Sequence, residues 1–374
     1  MTSDVPNLRF PEFQGEWVTY KIKDVLSIGN GRDYKHLNNG EIPVFGTGGY
    51  MTSVDECLYD GKTTFIGRKG SINKPFYYNG KFWTVDTLFY THSFNGITPK
   101  FTYCLFQTIN WLKYNEASGV PSLSKDTIEK IKINIPGLEE QNKIAKLMFA
   151  LDERIATQNK IIDKLQSLIK GLNDSLYAQY GGKVLTSFAK LGTSYSGLSG
   201  KSAQDFGSGK PFITYLNVYS NNVINENEFQ YVAIKDDEKQ NVAEYGDVLF
   251  TLSSETPREV GIGSVYLGKE KVYLNSFCFG IHITNMEVAF PPYLSYYVSS
   301  TAFRKFIYPY AQGSTRFNLC KADFEKASIK LPTLENQKRI YSILSHIDNK
   351  IITERQMLDL YNSQKQYLLR QMFI

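Results

Sequence analysis

Mostly apolar residues recur in alternating steps of four and three along two long stretches of the chain, residues 144–172 and 340–368. This heptad spacing is typical of two helices that pack along one seam. Gln158 and Glu354 hold matching seam positions, which predicts a polar layer that fixes the register. The residues expected in this coiled-coil and partner-binding seam are Ile144, Met148, Leu151, Ile155, Ile162, Ile340, Leu344, Ile347, Ile351 and Leu358.

Both seams belong to helices that begin just after a proline. Pro136 and Pro332 are expected to end a strand or a turn. Glu139 and Glu335 then fall in the first helical turn, where the helix dipole favours acidic side chains. Because each apolar stripe is narrow, we expect the two helices to pack against each other. The alternative is an amphipathic helix that packs only on its own domain.

The remaining sequence alternates apolar and polar residues over short runs, such as KTTFIG, DVLFTL and PFYYNGKFWTV. A period of two predicts strands, and Asn-Gly pairs between the runs supply turns. Two further segments, 99–114 and 291–308, have proline near the first turn and predict helices. Each region outside the long helices is therefore predicted to be mainly β with a few helices.

The chain contains an internal repeat. Residues 117–172 align on 313–368 without a gap at a shift of 196 positions, so that IPGLEEQNKI returns as LPTLENQKRI. Looser matches pair 15–31 with 181–197 and 59–67 with 244–252. A duplication explains this pattern. The predicted domains are 1–136 and 181–332, two variable globular units, and 137–180 and 333–374, two constant helices.

Composition narrows the class of protein only slightly. The net charge of +5 is spread evenly, so charge alone gives weak support for nucleic-acid binding. The four cysteines form no CxxC pair, which disfavours zinc or a disulfide framework. The start of the sequence lacks a signal-peptide pattern, and no apolar run reaches membrane-spanning length. These features predict a cytoplasmic protein without a membrane segment.

Catalytic motifs are approached but not completed. SGKS at 199–202 lacks the first glycine of a phosphate-binding loop. FPPY at 290–293 resembles the tetrad with which adenine methyltransferases hold their target base, but Phe290 cannot accept the required hydrogen bond, and a helix start explains the prolines better. The four histidines show no metal-ligand spacing. We therefore expect no catalytic residue and no metal in this chain, and a stand-alone nuclease or methyltransferase is disfavoured.

Polar loops at one topological position of both halves are the first candidate binding residues. Amide, hydroxyl and guanidinium groups on a short loop suit the reading of base edges. The alternative for any one of them is a solvated loop. The candidates are Arg68, Lys69, Ser71, Asn73 and Lys74 in the first half, and Ser253, Ser254, Thr256 and Arg258 in the second.

A second pair of loops precedes the two constant segments, at 115–126 and 310–323. Their small hydroxyl residues and lysines suit contacts with phosphate. A helix cap at Ser124 or Asp126 is an equally good explanation, and both stay open here. The candidates are Ser118 and Lys125 in the first half, and Ser314, Arg316 and Lys321 in the second.

Three motifs together resemble a known family over essentially the whole chain. They are the repeated [IL]P-x-L-E-x-Q-x-[KR]-I phrase, the D-x-[RK]-I that follows it at 152–155 and 348–351, and W-x-x-x-x-[IL]-x-[DE]-[VL] from Trp17. They resemble the specificity subunit of type I restriction–modification enzymes. The resemblance implies an α+β fold: two β-rich target-recognition domains joined by two long antiparallel coiled-coil helices, with pseudo-twofold internal duplication.

The resemblance also implies partners and a role. Each recognition domain would read one half of a bipartite site in double-stranded DNA, and the helices would set the spacing and bind two modification (methyltransferase) subunits. S-adenosylmethionine, ATP and Mg²⁺ would lie on those partners and on the restriction subunits that cut DNA, in a bacterial or archaeal cytoplasm. The alternative is a non-catalytic scaffold that binds protein or RNA.

Overall fold

The computed structural model describes residues 5–374, and the chain divides into two compact units. The first unit comprises the chain up to Lys160 together with Arg355–Ile374, and the second comprises Ile161–Glu354. Within the described residues, no helix combines the length and the apolar character needed to cross a membrane.

The first unit contains eight strands, three short helices and a 3₁₀ turn at Trp111–Tyr114. Its strands are β1 (Val18–Lys21), β2 (Ser27–Asn30), β3 (Asn39–Gly46), β4 (Gly49–Val54), β5 (Tyr59–Gly67), β6 (Phe76–Thr84), β7 (Leu88–His92) and β8 (Lys132–Ile135). Its helices are α1 (Ile22–Val25), α2 (Pro99–Phe106) and α3 (Lys125–Lys130). The long helix α4 (Leu138–Tyr180) follows and continues into the second unit.

The second unit has more and shorter strands. They are β9 (Val184–Thr186), β10 (Gly192–Ser196), β11 (Phe206–Ile213), β12 (Gln230–Val232), β13 (Val242–Ala243), β14 (Val248–Thr251), β15 (Ser253–Ser254), β16 (Gly263–Val265), β17 (Val272–Leu274), β18 (Cys278–Ile283), β19 (Ala311–Gln312), β20 (Phe317–Leu319) and β21 (Ile329–Leu331). Its helices are α5 (Phe188–Leu191), α6 (Tyr215–Ser220), α7 (Pro291–Tyr297), α8 (Thr301–Ile307) and α9 (Lys321–Lys326), followed by the long α10 (Leu334–Gln371). Its 3₁₀ turns are Ala203–Asp205, Glu226–Glu228 and Tyr308–Tyr310.

Sheet order shows what the two units share and where they differ. In the first unit, six strands form one sheet in the order β2-β7-β5-β6-β3-β4, and only β3 and β6 are parallel. In the second, the corresponding strands form two sheets, β10-β18-β14-β16 and β12-β11-β17-β13. The continuous β6 is replaced by β16 and β17, which residues 266–271 separate. A small ribbon closes each unit, β1 with β8 and β9 with β21.

Strand register tests the two looser sequence matches. Val18 pairs with Ile135, and Val184 pairs with Leu331, which confirms the match of 15–31 with 181–197. The match of 59–67 with 244–252 is wrong by one residue. Gly67 is the last β5 residue paired with β7, and its counterpart on β14 is Thr251. Aligning glycines caused the slip, because one lies inside β5 and the other in a turn before β14.

A buried glutamine explains why the repeated phrase recurs. The Gln141 side chain donates to the carbonyl oxygens of Pro136 (2.8 Å) and Gly96 (2.9 Å) and accepts from the Thr98 amide (2.8 Å). Thr98 is the N-cap of α2, so one side chain fixes the start of both α4 and α2. The matching glutamine of the second unit repeats this arrangement with Pro332, Val288 and Phe290.

The two predicted shorter helices are interrupted. In the first unit α2 ends at Phe106, whose carbonyl accepts the Trp111 indole N–H at 2.8 Å. In the second, Ser300 starts the separate helix α8 by accepting the Phe303 amide at 3.2 Å. Side-chain hydrogen bonds thus end one turn and begin the next, which hydrophobic periodicity does not reveal. Phe290 is the N-cap of α7 with prolines in its first turn, as expected for FPPY.

The long helices have 43 and 38 residues, or about 65 and 57 Å at 1.5 Å per residue. In the first unit, the Lys365 ammonium on α10 lies 2.5 Å from the Asp152 carboxylate on α4. In the second unit, the Arg339 guanidinium lies 5.6 Å from the Tyr180 ring centroid. In each unit, therefore, one end of α4 meets the opposite end of α10, which confirms the antiparallel arrangement and the predicted α+β fold class.

The seam residues are most buried where the helices also contact a globular core. Ile144 and Met148 belong to the main core of the first unit, and Ile340 and Leu344 belong to that of the second. The two explanations of the apolar stripe therefore both apply at the helix ends. The other buried seam residues are Leu151, Ile162 and Ile351, and the half-buried ones are Ile155, Ile347 and Leu358.

Candidate nucleic-acid interface

The two polar loops of the first unit lie side by side. We call residues 68–75 segment A1 and residues 115–124 segment B1. The Leu123 amide donates to the Arg68 carbonyl (2.9 Å), the Gly70 amide donates to the Pro121 carbonyl (2.8 Å), and Lys69 forms a bridge with Ser122. Two loops that are about 50 residues apart in sequence therefore form one surface beside β5.

The second unit repeats this pairing at equivalent residues. We call residues 252–262 segment A2 and residues 311–320 segment B2. The Leu319 amide donates to the Leu252 carbonyl at 2.8 Å, and Ser253 pairs with Asn318 in the β15–β20 ladder. Leu319 and Asn318 lie 196 positions after Leu123 and Ser122, the repeat distance of the constant segments. The duplication therefore includes the way in which A and B segments meet.

The polar side chains of segment A1 are exposed to solvent, whereas its Ile72 is buried in the core. Arg68 donates to the Asp86 carbonyl at 3.3 Å, and its guanidinium lies 6.0 Å from the Phe89 ring centroid. Arg68, Lys69 and Lys74 form no ion pair among the described residues, so three cations remain available to an anionic ligand. The other exposed predicted residues of this surface are Ser71, Asn73 and Ser118.

Segment B1 is held in shape by two of its own polar side chains. Asn115 accepts from the backbone amides of Ala117 and Ser122, and Glu116 accepts from the hydroxyls of Thr127 and Ser124. These hydrogen bonds, that from Thr127 first, lower the pKa of Glu116. Ser124 is the N-cap of α3, so the helix-cap explanation applies to this residue. The Lys125 ammonium forms a salt bridge with the Glu129 carboxylate at 3.5 Å.

The hydroxyl groups of segment A2 are largely engaged inside the protein. The Glu259 carboxylate accepts from Tyr219 (2.9 Å), Thr256 (2.9 Å) and Ser254 (3.2 Å), which lowers the pKa of Glu259. Ser253 is buried and accepts from the Arg316 guanidinium at 3.3 Å. These hydroxyls therefore shape the segment, and a ligand meets mainly their acceptor oxygens.

The basic residues of the second unit face in two directions. The Arg316 guanidinium lies 5.6 Å from the centroid of the exposed Phe277 ring, beside segment A2. The Lys321 ammonium lies 5.0 Å from the Phe279 ring and 3.7 Å from Glu325. Arg258 lines a different groove, with Arg304 and Lys305. The structure therefore groups Arg316 and Lys321 with segment B2, where Ser314 is exposed, and separates Arg258 from them.

A third segment joins this surface in each unit, and sequence reasoning missed both. In the second unit it is α6, capped by Thr214: Tyr215 donates to the Ser253 carbonyl at 2.8 Å, and the exposed Leu216 stands beside it. These residues and Arg316 line a groove of about 740 Å³. The available signal was weak, because an apolar run such as TYLNVY is as typical of a core as of a binding surface.

In the first unit the equivalent segment is the glycine-rich turn 46–51. The Val85 amide donates to Phe45, and the Asn275 amide donates to Ile213, which places Gly46 where Thr214 stands in the second unit. Gly49 takes a φ of +104°, which favours glycine, and the chain turns back as β4. Thr47 lies beside Gly70 of segment A1, and Tyr50 and Met51 are more than half exposed. By sequence alone, the glycines of GTGGY at 46–50 predict only a turn.

A buried polar cluster in the second unit brings three titratable side chains together. Tyr195 donates to Asp247 at 2.7 Å, and the His282 ring lies 2.9 Å from the other carboxylate oxygen. Burial raises the pKa of Asp247. Among the described residues, no serine or cysteine forms a hydrogen bond with this cluster, which ties β10 and β18 to the turn before β14. Among residues 5–374, no group of three potential metal ligands is found.

Comparisons with known proteins add to this geometry. Residues 14–167 and 199–360 match the family model described as "Type I restriction modification DNA specificity domain". The chain is 28% identical over 295 residues to a Methanocaldococcus jannaschii protein named for the MjaX type I restriction enzyme specificity subunit, covering 70% of this chain and 64% of that protein. It is 31% identical over 126 residues to the MjaVIII specificity subunit of the same organism, covering 33% and 27%.

The chain thus spans less than two thirds of the length of both relatives. A solved structure of a type I restriction–modification system S subunit from M. genitalium has the same fold, with a TM-score of 0.63 at 13% identity. That match covers 99% of each chain. At this identity, the likeness concerns the fold alone.

Proposed function

Since this chain belongs to the family of type I restriction modification DNA specificity domains, we propose that it is the DNA sequence-recognition subunit of a type I restriction–modification complex. It does no chemistry itself in this proposal. The first unit reads one half of a bipartite DNA site through segments A1 and B1 and turn 46–51. The second unit reads the other half through segments A2 and B2 and helix α6.

One observation supports this proposal above all others. In both units the duplication brings an A segment and a B segment together at the same pairs of residues, while their side chains differ almost completely. A protein that reads two different half-sites needs a constant frame and variable contacts, because base identity is read by hydrogen bonds from particular side chains. A core or a single binding site would not require the frame to be present twice.

The long helices complete the proposed mechanism. They hold two recognition units on one chain, so that the second half-site binds at a high effective concentration once the first is bound. Their seam and repeated joints present two similar surfaces, which suits two copies of one methyltransferase partner. S-adenosylmethionine would be bound by these partners, and ATP and Mg²⁺ by the restriction subunits, in the cytoplasm of a bacterium or archaeon.

Exchange of one recognition unit tests the assignment of half-sites. The chain is assembled with its modification subunits, and the methylated adenines in a randomised plasmid library are mapped. Replacing residues 17–136 with the same region of another family member should change one half-site, and replacing 184–331 should change the other. A change of both half-sites in either chimera contradicts the modular reading. Absence of any preferred sequence in the native assembly favours the protein- or RNA-binding scaffold instead.

Lengthening a helix tests the proposed spacing role separately. Four residues inserted between Lys160 and Ile161 add about 6 Å to α4. The preferred spacer between the two half-sites should become longer, while both half-site sequences stay the same. An unchanged spacer removes the spacing role from the helix without affecting the assignment of the recognition units.

A further inference from the structure

The second unit contains a basic groove of which only Arg258 is among the DNA-binding residues predicted from the sequence. Its volume is about 650 Å³, and four cationic side chains line it, Lys170, Arg258, Arg304 and Lys305, with the hydroxyls of Thr301 and Tyr308 among them. Lys170 lies on the part of α4 that belongs to the second unit, and Arg304 and Lys305 lie on α8. Three separate segments therefore bring positive charge to one concave surface.

Arg304 is held in this groove as a fixed cation. Its guanidinium donates to the carbonyl oxygens of Gly261 (2.7 Å), Arg258 (2.7 Å) and Val260 (2.8 Å). Burial lowers the pKa of Arg304, yet an arginine stays protonated at neutral pH. Carbonyl groups satisfy its donors without cancelling its charge. The groove is therefore preorganised to attract an anion.

The other charges of the groove are not neutralised either. Lys170, Arg258, Arg304 and Lys305 take part in no ion pair within 4 Å among the described residues. Asp174 is an acid at the edge of the groove, and its carboxylate accepts from the Thr301 amide (2.9 Å) and hydroxyl (2.6 Å). One carboxylate that is bound to a helix start leaves an excess of positive charge.

Segment A2 connects this groove to the candidate base-reading surface. Ser254 and Glu259 of this segment face the groove that contains Arg316, whereas Arg258 faces the basic groove. A duplex whose base edges meet the first surface carries its phosphates along its own outside, one charge every 1.7 Å of helix axis. The chemistry that suits four cations, of which Arg304 is fixed, and the Tyr308 hydroxyl is a phosphate oxyanion.

We propose that this groove binds backbone phosphates of the DNA whose bases segment A2 reads, an inference that rests on the proposed function. The groove contributes affinity without sequence information. The groove fixes the orientation of the duplex on the second unit. The first unit does not need an equivalent groove.

The test uses the full chain assembled with its modification subunits. Binding to a duplex with the preferred sequence and to a scrambled duplex is measured from 50 to 200 mM salt. We expect K170Q/K305Q to bind both duplexes more weakly by the same factor and to reduce the salt slope by about 2, one per lysine removed. The matched control K239Q/K269Q removes two exposed lysines of the same unit outside the groove and should keep the wild-type slope.

The outcomes separate this inference from the proposed function. If the wild-type assembly does not prefer its own sequence, the proposed function fails. If it does, and K170Q/K305Q keeps the wild-type affinity and salt slope, only the groove assignment is overturned. Inorganic pyrophosphate is the second probe. Should it raise the melting temperature of the wild-type chain but not of K170Q/K305Q, while both bind DNA equally, the anion is a free phosphate and the DNA assignment is overturned.

Discussion

The two units share one backbone pairing of A and B segments but carry different side chains on it. Segment A1 exposes three cations that have no ion pair among the described residues, whereas segment A2 directs its hydroxyls to Glu259. The third segment is a glycine-rich turn in the first unit and a capped helix in the second. The backbone pairing at Leu123 and Leu319 is therefore the part of these surfaces that the duplication preserved.

The sheets show how much variation this pairing tolerates. β6 is continuous in the first unit, but β16 and β17 are separated by residues 266–271 in the second. The Tyr266 hydroxyl donates to the Glu270 carbonyl at 2.7 Å and closes that excursion on itself. The flanking strands keep their partners, so a split sheet still places A2 and B2 side by side.

The largest effect is expected from removal of the buried glutamine at the repeated joint, which should affect both units alike. Gln141→Ala and Gln337→Ala each leave two buried carbonyls and one amide without a partner, which should cost about 3–5 kcal/mol locally. Hydrogen exchange should rise at residues 96–102 in the first variant and at 288–294 in the second, by similar factors. Methionine at the same position is the size-matched control and should be as damaging. Exchange that rises in only one variant would show that the two joints are not equivalent.

Separate removal of Arg68 and Arg316 tests whether each unit reads a different half-site. Arg68→Ala should relax base preference in one half-site and Arg316→Ala in the other, each with a loss of about 1–3 kcal/mol in binding. Methylation mapping combined with binding assays measures both effects. Lys239→Ala, an exposed residue of the second unit, serves as the charge control. Equal loss on all sequences would make the arginine a phosphate contact.

The two aspartates of the repeated D-x-[RK]-I motif have different partners. Removal of either partner should have a smaller effect. Asp152 pairs with Lys365 in the first unit, and Asp348 accepts from the Tyr296 hydroxyl in the second. Lys365→Met and Tyr296→Phe should each cost about 1–2 kcal/mol. Only the first cost should shrink as salt rises from 0.05 to 1 M in urea unfolding, because salt screens an ion pair. The same salt dependence in both variants would contradict the assignment of an ion pair to Asp152 and a tyrosine hydrogen bond to Asp348.

The smallest effect concerns acid pH in segment A2. Hydrogen bonds, that from Tyr219 first, hold the pKa of Glu259 below its usual 4.5. The carboxylate therefore stabilises the folded segment fully above pH 4.5, and this contribution is lost as pH falls through the lower folded pKa. A 3-fluorotyrosine at position 219 should report a ¹⁹F shift with its midpoint below pH 4.5, absent in Glu259→Gln. A midpoint at or above 4.5 would refute the assigned hydrogen bonds.

Prediction from the sequence succeeded where local rules decide the structure. The heptad steps predicted α4 and α10, and the looser match of 15–31 with 181–197 proved to be in register. It failed where individual side-chain contacts decide the structure. The helix predicted at 291–308 is divided by a cap at Ser300, and Arg258 turns away from its neighbours in segment A2. The residues proposed to contact DNA remain predictions.

Periodicity and repeated motifs lie in neighbouring residues, so the sequence alone predicts the duplication, the long helices and the family. Which distant segments form one surface follows only from the folded chain. Backbone hydrogen bonds join A1 to B1 and A2 to B2. Turn 46–51 lies beside A1, and the Tyr215 side chain joins helix α6 to A2. Such contacts leave no pattern in the composition. The folded chain also gives the repeated phrase its meaning: the glutamine at its centre is buried because three backbone groups of two helix starts need one partner.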